Sequence, residues 1–202
     1  MKLISKLHYI TTNADMAEQA CKGGVKWIQL RLKNVSDVHF FTVAKEVQTI
    51  CKKHNATFII NDNVQLALEL KADGVHLGKE DTLPQDARAI LGNDFIIGST
   101  ANTIEDVTQL SKMPINYIGL GPYKFTDTKQ NLSPVLGLKG YIDIINSLNN
   151  IKVPPIIAIG GIRIEDTASI LNTGVYGIAV SGAITFAPNI ADAARSFIVQ
   201  LG

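Results

Sequence analysis

Several short clusters in this sequence combine the residue types and spacing needed to handle phosphorylated substrates. Gln29, Arg31 and Lys33 alternate at the end of an apolar run, and alternate residues of an extended chain share one side. An arginine can grip phosphate oxygens with two parallel N–H groups, and a lysine adds a compact positive charge. Asn61-Asp62 closes a second apolar run and Glu80-Asp81 follows a third, so one strand–helix unit separates Asp62 from Asp81. Mg²⁺ typically takes one or two carboxylates together with substrate phosphates and water. Gly160-Gly161 and Ser181-Gly182 end two later runs, where glycine lets backbone N–H groups approach an anion closely. Before them Tyr123-Lys124-Phe125-Thr126-Asp127-Thr128-Lys129 offers hydroxyls and cations suited to phosphate.

Each cluster alone also has a plainer explanation. Arg31 and Lys33 fit a solvated strand end carrying a salt bridge. Asp62 and Asp81 fit helix caps equally well, and Gly-Gly is commonly a turn. His76 stands beside apolar neighbours, where a structural role is favoured over that of a general base. His8, His39 and His54 carry no functional argument. Trp27 and Phe125 read as packing residues rather than base-stacking groups.

The elements that must position these residues alternate regularly. Strands are expected at Leu7–Thr11, Lys26–Arg31, Thr57–Asn61, Gly74–Leu77, Phe95–Ser99, Tyr117–Gly121, Pro155–Ile159 and Gly177–Ser181. They are continuous apolar runs, as expected for parallel strands covered by helices. Ser36 and Asp37 can cap a helix whose inner face carries Phe40, Val43, Val47 and Ile50. Thr103 with Asp106 resembles a capping box. Pro84 suits a first helical turn and Gly92 the position after its end. Glu165 to Asn172 followed by Gly174 repeats that ending, and Pro188 opens a last helix through Phe197. This succession reads most simply as a single (β/α)₈ barrel spanning residues 1–202, with an open doubly wound sheet as the alternative. The absence of G-x-G-x-x-G after the first strand weakens a dinucleotide-binding version. Pro122 to Leu138 has little helical period, and a connection of this length in a compact domain is commonly functional or disordered.

Composition suits one soluble domain and leaves acidic small molecules possible as ligands. With 202 residues, 46% hydrophobic, the chain can bury a sizeable core. A net charge of +1 provides no global basic field for nucleic acid. Cys21 and Cys51 fall in helix-like segments and read as packed thiols, and no ligand-spaced Cys/His cluster suggests zinc. No signal peptide precedes the first strand, and no run approaches the about 18 apolar residues of a membrane span, so the cytoplasm is the expected compartment.

Taken in order, Gln29-Leu30-Arg31-Leu32-Lys33, Ile60-Asn61-Asp62, Ala72-Asp73-Gly74-Val75-His76-Leu77-Gly78 continuing to Asp81, Gly119-Leu120-Gly121-Pro122, Thr126-Asp127-Thr128-Lys129 and Ala158-Ile159-Gly160-Gly161-Ile162 resemble the thiamine phosphate synthase family across nearly the whole chain. The resemblance implies a (β/α)₈ barrel that joins hydroxymethylpyrimidine diphosphate to hydroxyethylthiazole phosphate and releases diphosphate. It implies that Gln29, Arg31, Lys33, Asn61 and Lys129 hold the pyrimidine diphosphate, that Asp62 and Asp81 hold Mg²⁺, and that Thr126, Thr128, Gly161 and the Ser181–Gly182 backbone hold the thiazole phosphate. Arg31, Lys33 and Lys129 would be catalytic, through the charge of the departing diphosphate, and a homodimer is compatible with the resemblance. In the implied mechanism diphosphate leaves first and the thiazole nitrogen attacks the resulting pyrimidine cation. Such chemistry needs leaving-group stabilisation and alignment more than a strong base.

Three positions depart from the family pattern. Thr100, assigned to substrate binding, stands where the family usually has Ser. Asn102 stands where it often has His, and Gly182 where it often has Ser. Two rival readings use the same barrel: a thiazole tautomerase-like isomerase, and a non-catalytic phosphate-binding paralogue. Retention of Arg31, Lys33, Asn61, Asp62, Asp81 and Lys129 argues against the isomerase, which would not need the full diphosphate and metal set.

Overall fold

The computed structural model describes residues 3–125, 134–148 and 151–202. Among them, parallel strands close into a barrel in sequence order: β1 (Leu7–Thr11), β2 (Trp27–Leu30), β3 (Thr57–Asn61), β4 (Gly74–Leu77), β5 (Ile96–Ala101), β6 (Tyr117–Leu120), β7 (Ile156–Ile159) and β8 (Gly177–Val180). β8 pairs back onto β1 through Leu7 opposite Ile178. Around them run α1 (Ala14–Lys22), α2 (Asp37–His54), α3 (Val64–Glu69), α4 (Pro84–Leu91), α5 (Ile104–Leu110), α6 (Gly137–Ser147), α7 (Thr167–Leu171), α8 (Gly182–Thr185) and α9 (Ile190–Leu201).

The strands are apolar on both faces because both faces are covered. Ile28, Leu30, Phe58, Ile60, Val75, Leu77, Ile97, Ile118, Leu120, Ala158, Ile178 and Val180 pack in the layer shared with the helices. Their neighbours Ile10, Trp27, Ile59, Ile96, Tyr117, Ile157 and Ala179 form a separate cluster inside the barrel. Fully burying one such aliphatic side chain stabilises the fold by about 1.5–3 kcal/mol. Cys21 and Cys51 are buried free thiols, each pushed to a higher pKa by burial, which disfavours the thiolate.

Helix ends follow the local signals. Ser36 accepts from the His39 N–H, Thr103 and Asp106 form the reciprocal capping box, Pro84 opens α4, and Gly92 ends it with a φ of 76°. Several boundaries move. β2 runs only from Trp27 to Leu30, although Arg31 still donates its N–H to Thr11 O. β5 runs on to Ala101, which places Thr100 on the strand. The last helix starts at Ile190, not at Pro188, because the Asn189 side chain accepts from Asp192 N–H and caps it there. The long connection after β6 ends at Leu136; Leu136 N–H reaches Pro122 O and Gly137 N–H reaches Tyr123 O, drawing its two ends together.

Candidate active site

The polar residues collect at the C-terminal rim of the strands, the end at which barrel enzymes carry their chemistry. At the end of β2, Gln29 is buried and donates from Nε2 to Asn61 Oδ1 at 2.7 Å. This fixes the amide of Asn61 at the end of the adjacent β3. Arg31 is half-buried one residue past the strand, and Lys33 is exposed beyond it. The Lys33 ammonium contacts the Asp62 carboxylate directly. The strand-end salt bridge and a cationic rim are thus the same feature.

Asp62 adopts a left-handed backbone with φ 67° immediately after β3, while its N–H bonds to His76 O at 2.8 Å. That conformation is uncommon for a residue with a side chain, though least so for Asp and Asn. Neither carboxylate caps a helix. Asn63 caps α3 instead, accepting from Leu66 N–H, and Leu83 occupies the cap position of α4. Asp81 folds back on its own loop, accepting the Gly78 N–H at 2.6 Å.

The two carboxylates interact closely enough to titrate together. Burial pushes Asp62 up, but its hydrogen bond with Asp81 and the Lys33 ammonium outweigh burial and hold it below the usual carboxylate range. Burial raises Asp81, and the neighbouring Asp62 raises it further. A pair so close keeps a proton more readily than two isolated acids. A cleft of about 440 Å³ lies beside Lys33, Asn61 and Asp62, and a smaller one of about 140 Å³ lies beside Asp81, Ser99 and Thr100.

Across the rim, the ends of β6, β7 and β8 make a backbone-lined corner. Gly160 and Gly161 have φ of 100° and 66°. A Cβ on Gly161 would stand 2.8 Å from Phe125 O and 2.9 Å from Lys124 Cβ. Only glycine lets the two loops approach so closely. Lys124 is anchored there: its Nζ meets Asp166 Oδ1 at 2.6 Å, and its N–H bonds to Gly160 O. Ser181 precedes α8 without capping it through its side chain, and Gly182 begins that short helix. Thr126, Thr128 and Lys129 lie outside the described residues. Phe125 is 71% exposed and so does not pack as expected from its type, whereas Trp27 is fully buried.

Residues 2–184 match the model of the family described as thiamine monophosphate synthase. The chain belongs to the thiamine monophosphate synthase family. A relative from Flavobacterium psychrophilum named thiamine-phosphate synthase is 50% identical over 194 residues, covering 93% of this chain and 94% of its own length. One from Bacteroides fragilis with the same name is 49% identical over 176 residues, covering 87% and 86%. The solved thiamine phosphate pyrophosphorylase from Pyrococcus furiosus superposes with a TM-score of 0.85 at 30% identity, covering 97% of this chain and 95% of that one.

Within this synthase-family barrel, two of the departing positions have clear surroundings. Asn102 is buried; its Nδ2 donates to Gly121 O at 2.5 Å, and its N–H bonds to Asp106 Oδ2. Its amide therefore ties the ends of β5 and β6 together. Thr100 Oγ1 lies 3.1 Å from His76 Nε2, whose other ring nitrogen lies 2.9 Å from the Tyr117 hydroxyl. Sequence reasoning did not single out Tyr117 for the site. The available signal was parity, since Tyr117 shares the inward face of β6 with Gly119.

Among the described residues no helix is long and apolar enough to cross a membrane.

Proposed function

We propose that this chain condenses hydroxymethylpyrimidine diphosphate with hydroxyethylthiazole phosphate to thiamine phosphate, releasing diphosphate. The observation that carries the reading is the convergence of Lys33, Asp62 and Asp81 on one point of the rim, opposite the glycine-lined ends of β7 and β8. One side has the charges for a diphosphate, and the other has close backbone for a monophosphate.

The acidic pair fits Mg²⁺. Two adjacent carboxylates, one of them pushed above the usual range by burial and by its neighbour, that draw in an ammonium are a site suited to a divalent cation. Asp62 and Asp81 would hold it, and the bound ion would neutralise charge on the departing diphosphate. Lys33, released from Asp62, and Arg31 would bind the diphosphate oxygens, with Lys129 completing the set. The Gln29–Asn61 pair would orient the pyrimidine, and Thr100 would add a hydroxyl. Gly161, the Ser181–Gly182 backbone, Thr126 and Thr128 would fix the thiazole phosphate, so that the ring nitrogen faces the carbon that loses diphosphate. Holding two reactants in this way is the principal gain when no strong base is needed. The same reading assigns a cytoplasmic enzyme of small phosphorylated molecules.

The test is thiamine phosphate formation from the two precursors, with and without Mg²⁺, by the wild type and by the D62A/D81A double variant. Mg²⁺-dependent product that the double variant fails to make is the expected result. No product from folded wild-type protein with saturating precursors would overturn the reading.

A further inference from the structure

Inside the barrel, below the rim, a polar file runs through otherwise apolar packing. His8 stacks on Trp27 with ring centroids 4.0 Å apart, and Trp27 meets the edge of Tyr117 at 5.5 Å. The Tyr117 hydroxyl reaches His76 Nδ1 at 2.9 Å, and His76 Nε2 reaches Thr100 Oγ1 at 3.1 Å. Thr100, half-buried, stands at the top of this file, beside the acidic pair's smaller cleft.

The neighbouring strands make room for both rings. A Cβ on Gly98 would fall 2.1 Å from Tyr117 Cζ, and one on Gly119 would fall 2.9 Å from His76 Cε1. Two adjacent strands thus lack side chains where Tyr117 and His76 lie.

Hydrogen-bond satisfaction sets the direction of the file. Tyr117 is 1% exposed, and burial holds its hydroxyl protonated. Among the described residues, His76 Nδ1 is the acceptor within reach of that hydroxyl hydrogen. Were Nδ1 the protonated nitrogen, the Tyr117 hydrogen would be buried without a partner, an arrangement folded proteins avoid. Tyr117 therefore donates to Nδ1, and His76 carries its proton on Nε2. Nε2–H then donates to Thr100 Oγ1, so the Thr100 hydroxyl spends a lone pair inward and keeps its hydrogen for the mouth of the barrel.

We propose that Tyr117 and His76 are positioning residues that make Thr100 a hydrogen-bond donor toward substrate. A donor at that point selects an acceptor atom, such as an unprotonated ring nitrogen or a phosphate oxygen, and disfavours an amino group. The chain of bonds polarises in one direction, strengthening the last donor. The proposal rests on the synthase reading for the identity of the substrate, but the tautomer it requires belongs to the free protein.

Two measurements test it. The first is the ¹⁵N imidazole spectrum of substrate-free wild type with His76 assigned. A pyridine-type Nδ1 and pyrrole-type Nε2 are expected; a pyrrole-type Nδ1 overturns the relay, whether or not the protein makes thiamine phosphate. The second is steady-state kinetics of Tyr117→Phe and Thr100→Val with both precursors. In Tyr117→Phe, kcat falls about fivefold, the effect of one neutral hydrogen bond, while KM for the thiazole phosphate is unchanged. Thr100→Val, which removes the donor itself, loses at least as much kcat as Tyr117→Phe. Wild-type kcat in folded Tyr117→Phe overturns the proposal, and if that variant does not fold the wild-type spectrum decides.

Discussion

Tyr117 fills the space that Gly98 leaves on the neighbouring strand: a Cβ built on Gly98 would stand 2.1 Å from Tyr117 Cζ and 2.5 Å from its hydroxyl oxygen. Since β5 and β6 pair Gly98 directly with Tyr117, neither strand can shift to relieve the clash without disturbing the ladder. Gly98→Ala is expected to destabilise the protein by about 1–3 kcal/mol, the usual range for overpacking a core. Urea midpoints of the variant and wild type measure this. An unchanged midpoint would show that the Tyr117 ring has freedom to move.

At Asp81 function opposes stability. At neutral pH its proximity to Asp62 is unfavourable without a cation, and both burial and Asp62 raise its pKa. Asp81→Asn keeps an oxygen for the Gly78 N–H while removing the like charge. We expect melting of the metal-free variant to rise by about 2 °C, a small gain because the pair is partly solvated. Turnover in Mg²⁺ should fall at least about 100-fold. The thermal gain should shrink as pH falls through the raised Asp81 pKa, since protonation already removes the charge. Scanning calorimetry beside the product assay checks both halves, and a lower melting point would refute the like-charge account.

His8 should make the fold sensitive to acid. It is buried and stacked on Trp27; burial first, and the charge of His76 second, hold its pKa well below the ordinary histidine value. Below about pH 6.5 the unfolded chain takes up a proton there that the folded chain refuses, so stability falls as pH drops. The contribution approaches about 1.4 kcal/mol per pH unit. His8→Phe keeps a flat ring against Trp27 and should remove this slope. Chemical denaturation of both proteins at about pH 7, 6 and 5 gives the comparison, and identical pH dependence would exclude His8 as the sensor.

Gly161 offers a test of the phosphate corner. Its φ of 66° and the 2.8 Å approach of Phe125 O leave no place for a methyl group. In Gly161→Ala we expect KM for the thiazole phosphate to rise about tenfold while KM for the pyrimidine diphosphate stays within about twofold. Equal rises in both would mean that the substitution disturbs the whole rim.

The barrel itself was legible because its signals are local. Continuous apolar runs mark strands buried on both faces, Ser36, Thr103 and Pro84 mark helix starts, and Gly92 marks an end. Strand ends were legible too, which is why Gln29, Asn61 and Asp62 could be named as rim residues before any fold was known. Boundaries were less so. Asn189 outcompeted Pro188 as the cap of α9 because its side-chain oxygen accepts the Asp192 N–H, and a proline side chain has no acceptor to offer.

What the amino-acid order alone determined, then, is the alternation of strand and helix and the chemical types gathered at the strand ends. Tertiary structure decided the partnerships. Lys33 contacts Asp62 across 29 positions, Gln29 binds Asn61 across 32, and His76 joins Tyr117 across 41. It also settled that Asp62 and Asp81 are interacting acids rather than helix caps. Such contacts depend on the register between neighbouring strands, where a slip of one residue would turn each inward side chain outward. That register is set by packing around the closed barrel, and no local run of residues contains it.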